Sequence, residues 1–241
     1  MGLDIYVGPL TRYYTDNWKT IVQQAGEDNN IPVTVVRPNQ PGHGWFGRLL
    51  DRFRPRGQDA AAKAVRQWRD RLRRELGIAA LDWNEDPETD YATDKPAWDC
   101  YGALVLWAAY DELPNAKRRQ TAEGWNEDPA YSTSRMNPRS RYRHLIADTE
   151  IWLPVEFGNP VQTAAITGDS IAVGSSIRLL DELRELNLRS WNVNDEQISQ
   201  WRFKGAEYGG PLEDSARFGF SIFYELAKHS VAANLPMKLD Y

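Results

Sequence analysis

The chain has 241 residues, of which 41% are hydrophobic and 26% are charged. These are ordinary values for a globular protein, and the length is sufficient for one large domain with a sizeable core. The net charge of −5 argues against nucleic acid as a general partner. A single cysteine, Cys100, excludes an internal disulfide framework and fits a reducing compartment. The longest apolar run, 103–110, is too short to span a bilayer, and the N-terminus lacks the apolar core of a signal peptide, so we expect a soluble, cytoplasmic protein.

The first forty residues carry the pattern of a strand, a helix and a second strand. Apolar residues alternate with polar ones over 3–7, which predicts a β-strand. Thr15 is a candidate N-cap for a helix that Gly26 would end. The β-branched run 31–36 predicts the second strand.

The next section combines a change of composition with two predicted helices. Residues 39–57 are rich in Pro, Gly, Arg and aromatic side chains, and we interpret them as an inserted excursion. An apolar stripe predicts a helix over 59–76 that ends at Gly77. A further helix, apolar on most sides, is expected over 98–112.

The second half of the chain contains strand patterns first and helix patterns afterwards. A strand is expected over 150–157 and a hairpin over 161–173. The later helices are each predicted to begin at a capping residue, namely near 174–176, at Asn194 with Gln197 as its capping-box partner, and at Asp214 or Ser215. This order of elements favours a single α+β domain over 1–241, with a small, mostly antiparallel sheet and several packed helices.

One pentapeptide, Trp-Asn-Glu-Asp-Pro, occurs twice, at 83–87 and at 125–129. Each copy is followed by a Tyr-x-Thr, and each joins a flat apolar ring to an amide, two carboxylates and a turn-forming proline. This composition is typical of an exposed recognition loop, or of a turn that fixes the end of a helix. If both copies serve one role, the two Trp rings should lie against local backbone, and Asp86 and Asp128 should accept turn or helix-cap hydrogen bonds.

Three segments carry a resemblance to a known family: the opening run 1–14, which begins Met-Gly-Leu-Asp-Ile-Tyr-Val-Gly, the segment 151–157, and the helix start at 174–176. Together they resemble a family of bacterial cytoplasmic proteins that has no assigned activity. The resemblance implies a bacterial source, and it transfers no catalytic residue to this chain.

The paired carboxylates of the repeated pentapeptide raise a hydrolytic alternative. Glu85 and Glu127 could flank a glycan while the neighbouring Trp rings stack on its sugars. His144, which lies among Arg and Asp residues, is the best candidate acid or base. The sequence contains no recognised catalytic motif, which favours a non-enzymatic protein and leaves the hydrolase as the open alternative.

The first copy of the repeat also resembles a calcium-binding loop. Oxygen-bearing side chains occur at every second position from 82 to 90. The match fails at the two most demanding positions, because Pro87 replaces the glycine of the sharp turn and Thr93 replaces the bidentate Glu. We therefore expect neither a metal nor another cofactor.

The charge is unevenly distributed along the chain. Residues 42–76 hold ten Lys or Arg and four acidic residues, a net of +6, so the rest carries −11. Large apolar residues recur at helical spacing among the arginines of this basic block, namely Trp45, Phe46, Leu49, Leu50 and Phe53. Such a helix can cover its own domain, contact a protein partner or a second copy, or bind a membrane surface or nucleic acid. The first of these roles is favoured, and among the binding roles a homo-oligomer through 42–57 is the alternative.

The function that these patterns favour is protein binding. We expect an immunity-like or other interaction protein whose acidic, Trp-bearing loops meet a basic partner surface. The predicted binding residues are the first four of each copy: Trp83, Asn84, Glu85, Asp86, Trp125, Asn126, Glu127 and Asp128. Two alternatives stay open: the glycan-directed hydrolase, and repeat loops with a purely structural role.

Overall fold

The computed structural model describes residues 3–29, 31, 33, 55 and 57–240. Within them the strands form one six-stranded sheet in the order β2-β1-β6-β3-β5-β4. The strands are β1 (Asp4–Val7), β2 (Ala92–Asp94), β3 (Thr149–Leu153), β4 (Val161–Ala164), β5 (Ser170–Ser175) and β6 (Met237–Asp240). Only β3 and β5 pair in parallel, and the other four pairings are antiparallel. The expected α+β fold with a mostly antiparallel sheet is confirmed.

The described helices follow or interrupt these strands in chain order. They are α1 (Leu10–Tyr14), α2 (Ile21–Asp28), α3 (Gln58–Leu76), α4 (Trp98–Glu112), α5 (Pro129–Met136), α6 (Arg143–Ile146), α7 (Ser176–Ser190), α8 (Asp195–Lys204) and α9 (Leu212–Ala233). A single 3-10 turn, Trp125–Glu127, precedes α5. Among the described residues, no helix is both long enough and apolar enough to cross a membrane.

The sheet is covered by helices on both faces. Successive side chains of a strand point to opposite faces. In β1, Ile5 therefore packs with α4, α7 and α9 in one core, whereas Tyr6 packs with α1 and α3 in the other. In β3, Trp152 belongs to the first core and Ile151 to the second. The sheet is thus the middle layer of three, and its buried strands position everything attached to their ends.

Several predicted elements are confirmed within a residue or two. The helix expected over 59–76 is α3, and Gly77 ends it in the left-handed conformation at φ 67°. The helix over 98–112 is α4, with ten of its residues buried. The hairpin is formed by β4 and β5. Asn194 and Gln197 make the expected capping box at the start of α8.

The expected bounds of α2 are wrong at both ends. Its N-cap is Thr20, whose hydroxyl accepts the N–H of Gln23, and not Thr15. Gly26 lies inside the helix instead of ending it. A Cβ at this position would overlap the side chain of Val33. Close packing, and not helix termination, is therefore what requires glycine here.

Two strands were not predicted, and some predictions lie outside the described residues. The C-terminal strand β6 is inserted between β1 and β3, and the three-residue strand β2 forms one edge of the sheet.

Of the predicted strand 31–36, only Ile31 and Val33 are described, and neither is in a strand. Of the excursion 39–57, only Pro55 and Gly57 are described. The five apolar residues proposed for self-association, 45, 46, 49, 50 and 53, all lie outside the described residues.

Candidate functional site

The first Trp of the repeat is part of the core. Trp83 is 2% exposed, and its ring packs edge-on against Trp68 of α3 with ring centroids 5.8 Å apart. The guanidinium carbon of Arg69 lies 4.3 Å from the centre of the same ring. Such cation–π contacts favour the buried position. The ring is therefore not available to a partner.

The polar residues of the first copy fix the loop between α3 and β2. Glu85 accepts the backbone N–H groups of Leu10 and Thr11, at 3.0 and 2.8 Å, and thereby satisfies the free N-terminal amides of α1. Asn84 accepts the N–H of Asp86 at 2.9 Å, and the carboxylate of Asp86 accepts the N–H of Glu88 at 2.9 Å. These local side-chain bonds replace regular secondary structure and hold the loop rigid.

The second copy lies against the first two turns of α4. Trp125 is 6% exposed and seated on Gly102, where a Cβ would overlap its ring. Asp128 caps α5 by accepting the N–H of Ala130 at 2.8 Å. Its other oxygen accepts from the guanidinium of Arg119 at 2.9 Å. Asn126 and Glu127 of this copy are exposed.

The two copies are alike at Trp and at the final Asp, and different at Glu. Both rings are buried, and the expected hydrogen bonds are confirmed, because Asp86 holds a turn and Asp128 caps a helix. The rings pack against distant helices and not against local backbone as expected, with Trp83 on Trp68 of α3 and Trp125 on Gly102 of α4. Glu85 accepts two amides, whereas Glu127 has neither a hydrogen bond nor an ion pair from its side chain among the described residues. The two copies thus form turns through the same local chemistry.

The catalytic candidate His144 is a buried residue of α6. It is 1% exposed, its Nδ1 accepts the N–H of Ser175 at 2.9 Å, and its ring packs edge-on against Phe157. Burial, with the positive charges of nearby Arg178 and Arg143, lowers the pKa of His144 to about 4. Among the described residues, no hydrogen bond or ion pair joins the side chain of His144 to Glu85 or to Glu127. The described contacts therefore do not join the three candidates into one site.

Glu182 is a buried acid that the sequence reading did not single out. It is 7% exposed on α7, and its carboxylate accepts the N–H groups of His144 and Leu145 at 2.9 and 3.0 Å. Burial raises the pKa of Glu182 to about 8, against the lowering effect of these two hydrogen bonds. The sequence pattern could have identified it, because Glu182 lies on the same helix face as Leu179, Leu183 and Leu186, and an acid on an apolar face needs a specific partner.

A strongly acidic surface feature is the segment 82–99, which we name the acidic strip. It contains seven Asp or Glu residues and one Lys, a net of −6, and so exceeds the net charge of the whole chain. The strip runs from the loop after α3, along the edge strand β2, into the first turn of α4. Because β2 is bonded to β1, the strip is attached to the buried sheet.

Three of the seven carboxylates in the strip are compensated. Asp82 pairs with Arg69. Glu85 accepts the amides of α1, as described above, and Asp94 pairs with Arg202 of α8 at 2.5 Å. The single lysine, Lys95, is directed to Asp4 outside the strip, at 2.6 Å.

The other four carboxylates have no cationic partner among the residues that the structure describes. Asp86, Glu88 and Asp90 are exposed, and Asp99 is half-buried in the first turn of α4. A row of fixed, uncompensated negative charges attracts Lys and Arg side chains of another molecule. Charges at a sheet edge also discourage pairing with a foreign strand. The fold and this surface define an α+β protein with a rigid, acidic edge.

Comparison with known proteins places the chain in a family. The chain belongs to the family described as "Putative DNA-mimic protein", whose family model matches residues 49–239, more than three quarters of its length. The match covers the whole acidic strip. Neither the curated proteins nor the solved structures gave a match to this chain.

The family match corrects the function that the sequence favoured. The immunity-like interaction protein with acidic, Trp-bearing loops is wrong, and so are the glycan hydrolase and the purely structural alternative. The description of the family points to protein binding of a more specific kind, directed at DNA-binding proteins. The buried rings of Trp83 and Trp125 agree with this correction, because neither is available as a surface anchor.

Proposed function

We propose that this protein imitates the charge of DNA and occupies the DNA-contacting surface of a DNA-binding protein. Family membership supports the proposal, together with the four carboxylates of the acidic strip that have no cationic partner in the part of the chain that the structure describes. DNA attracts its binding proteins chiefly through the negative charges of its phosphates, which Lys and Arg neutralise. Asp86, Glu88, Asp90 and Asp99 would present carboxylates to those same Lys and Arg side chains.

The setting of the strip suits such a role. The DNA-contacting surface of a protein binds charges that are held at fixed positions. A mobile acidic tail would lose conformational entropy on binding such a surface, whereas a rigid strip loses less. The bonds of Glu85 to α1, the turn held by Asp86, and the pairing of β2 with β1 all limit that loss. The partner would be a DNA-binding protein of the bacterial cytoplasm, with a basic DNA-contacting face.

The test is affinity capture with two matched baits besides the wild-type protein. The strip variant carries Asp86→Asn, Glu88→Gln, Asp90→Asn and Asp99→Asn. The control variant carries four neutralised carboxylates on the exposed surface elsewhere: Glu156→Gln, Asp181→Asn, Glu185→Gln and Glu196→Gln. Both variants change the net charge by the same amount. Wild type and control should capture the same DNA-binding protein from a lysate of the source organism, and the strip variant should not.

A competition experiment then tests the imitation itself. The captured protein is bound to a fluorescein-labelled DNA duplex, and displacement is followed by fluorescence anisotropy. Wild-type protein should displace the duplex, and its apparent affinity should fall with rising salt because ionic contacts weaken. Capture of partners that do not bind DNA would overturn the proposal. A strip variant that competes as well as wild type would overturn the role of the strip.

A further inference from the structure

Two aromatic side chains stand almost fully in solvent near the end of α8. Phe203 is 96% exposed and Tyr208 is 95% exposed, whereas the neighbouring Trp201 packs against Trp191 and Phe220 of the core. Aromatic residues are enriched at protein–protein interfaces relative to the rest of the surface, so two exposed rings this close in sequence are a candidate contact site. The segment 203–208, Phe-Lys-Gly-Ala-Glu-Tyr, is named here the aromatic bracket.

Glycines at two positions fix the backbone of the aromatic bracket. Gly205 has φ 71° and ψ −170°, a conformation that is essentially restricted to glycine, and its N–H donates to the carbonyl of Trp201 at 3.1 Å. Beyond the bracket, Gly209 has φ 69°, and the N–H of Gly210 donates to the carbonyl of Glu207 at 3.0 Å. The helix end and this turn hold the two rings outward, which lowers the entropy that binding would cost.

The charges of the bracket do not suit a basic partner. Lys204 and Glu207 are exposed, and neither has a hydrogen-bond or ion-pair partner for its side chain within the described residues. Arg202, just before the bracket, is paired with Asp94. The exposed bracket is therefore neutral overall, with one cation and one anion. A surface built to imitate DNA would lack the lysine.

The order of residues in the bracket is self-complementary. Read in either direction it is aromatic, charged, small, small, charged, aromatic, with opposite charges at the two ends. In a two-fold contact, residue i of one copy meets residue j of the second and the reverse. Lys204 would then face the second copy's position 207, and Phe203 would face position 208, so both charges and all four rings are matched.

We infer that the aromatic bracket is the contact between two copies of this chain in an isologous dimer. This inference is independent of the proposed DNA mimicry. Four rings, each with roughly 150–250 Å² of surface, can bury about 600–1,000 Å², which is below the roughly 1,200 Å² of a stable interface and in the range of weak, transient contacts. We therefore expect a weak, concentration-dependent dimer whose two-fold axis passes near Gly205 and Ala206.

Sedimentation velocity over a concentration series, up to about 1 mM, tests the inference with charge-reversal variants. Lys204→Glu and Glu207→Lys should each raise the dimer dissociation constant about tenfold, because each reversal turns two attractive pairs into two repulsive ones. The double variant Lys204→Glu/Glu207→Lys restores both pairs and should return to within about threefold of wild type. Phe203→Ser should raise the dimer dissociation constant more than either single charge reversal does. Lys117→Glu and Leu188→Ser, at exposed positions elsewhere, should leave it unchanged.

Disulfide formation provides a second measurement that does not depend on affinity. A cysteine at Ala206, next to the expected two-fold axis, should cross-link two copies under mild oxidation. Wild type should not cross-link, because its single Cys100 is buried. A wild type that stays monomeric throughout the series would overturn the inference. So would a double charge variant that dimerises no better than the single variants, or an Ala206→Cys variant that gives no cross-link.

Discussion

The carboxylate of Glu85 accepts the backbone N–H of Thr11 at 2.8 Å, across 74 positions of sequence. Its second oxygen accepts the N–H of Leu10 at 3.0 Å, so one side chain satisfies two amides at the start of α1. This contact attaches the acidic strip to the element that follows β1. The four carboxylates beyond it that have no cationic partner among the described residues therefore extend from a fixed base; they are Asp86, Glu88, Asp90 and Asp99.

Glu85→Gln should destabilise the protein by about 1–3 kcal/mol, because a Gln can accept only one of the two amides and its NH₂ group faces the other. The equivalent change in the second copy, Glu127→Gln, is the matched control and should cost less than about 0.5 kcal/mol, since Glu127 is exposed. Urea denaturation monitored by circular dichroism measures both values. Equal losses in the two variants would contradict this account of the repeat.

Gly102→Ala should destabilise the protein by about 1–3 kcal/mol, because the added methyl group overlaps the buried ring of Trp125. In a Trp125→Leu background the overlap is relieved, and the same change should become neutral or stabilising through the higher helix propensity of Ala. Gly158→Ala, where a Cβ meets nothing within 4 Å, is the control. Thermal and urea unfolding of the four members of the cycle would decide. A penalty that persists without the Trp ring would assign the glycine another role.

Stability should depend on pH through Glu182. Its pKa is raised to about 8 in the folded protein, from an ordinary value of 4.5, so the folded state retains a proton that the unfolded chain releases. The stability that this retained proton contributes is fully present below pH 4.5 and is lost as the pH rises through 8. Between these values, the unfolding free energy of wild type should fall relative to Glu182→Gln by at most about 1.4 kcal/mol per pH unit.

His144 contributes with the opposite sign. Its pKa is lowered to about 4 from 6.5, so its contribution is present above pH 6.5 and is lost as the pH falls through 4. Comparison of wild type with Glu182→Gln at each pH removes this shared term. Urea titrations at several pH values between 4.5 and 8.5 make the comparison. Parallel profiles for the two proteins would contradict the raised pKa of Glu182.

Cys100 should react very slowly with thiol reagents in the folded protein. It is 5% exposed in α4, and burial raises the pKa of its thiol to about 11 from 9.0. The thiolate fraction near neutral pH is then about a hundredfold lower than in the unfolded chain, and access is restricted as well. Reaction with Ellman's reagent, followed by absorbance with and without urea, checks the ratio. Rapid modification in the absence of urea would show that this part of α4 opens.

The sequence was sufficient for features that depend on near neighbours. The apolar stripe of α3, the left-handed stop at Gly77 and the capping box at Asn194 follow from helical periodicity and from hydrogen bonds within one turn. The two copies of Trp-Asn-Glu-Asp-Pro form turns for the same reason. The acidic strip was visible as composition, although its first half was predicted to be a recognition loop with Trp83 as its aromatic anchor.

The tertiary structure decided which of these residues reach the surface and which pair with distant segments. Packing against α3 buries Trp83, and packing against α4 buries Trp125. The backbone of α1 donates hydrogen bonds to Glu85, whereas Glu127 stays exposed. The central position of β6, between β1 and β3, also follows from long-range pairing. The reason is physical: periodicity and capping act over about four residues, whereas burial and strand pairing are set by segments that meet only when the whole chain packs.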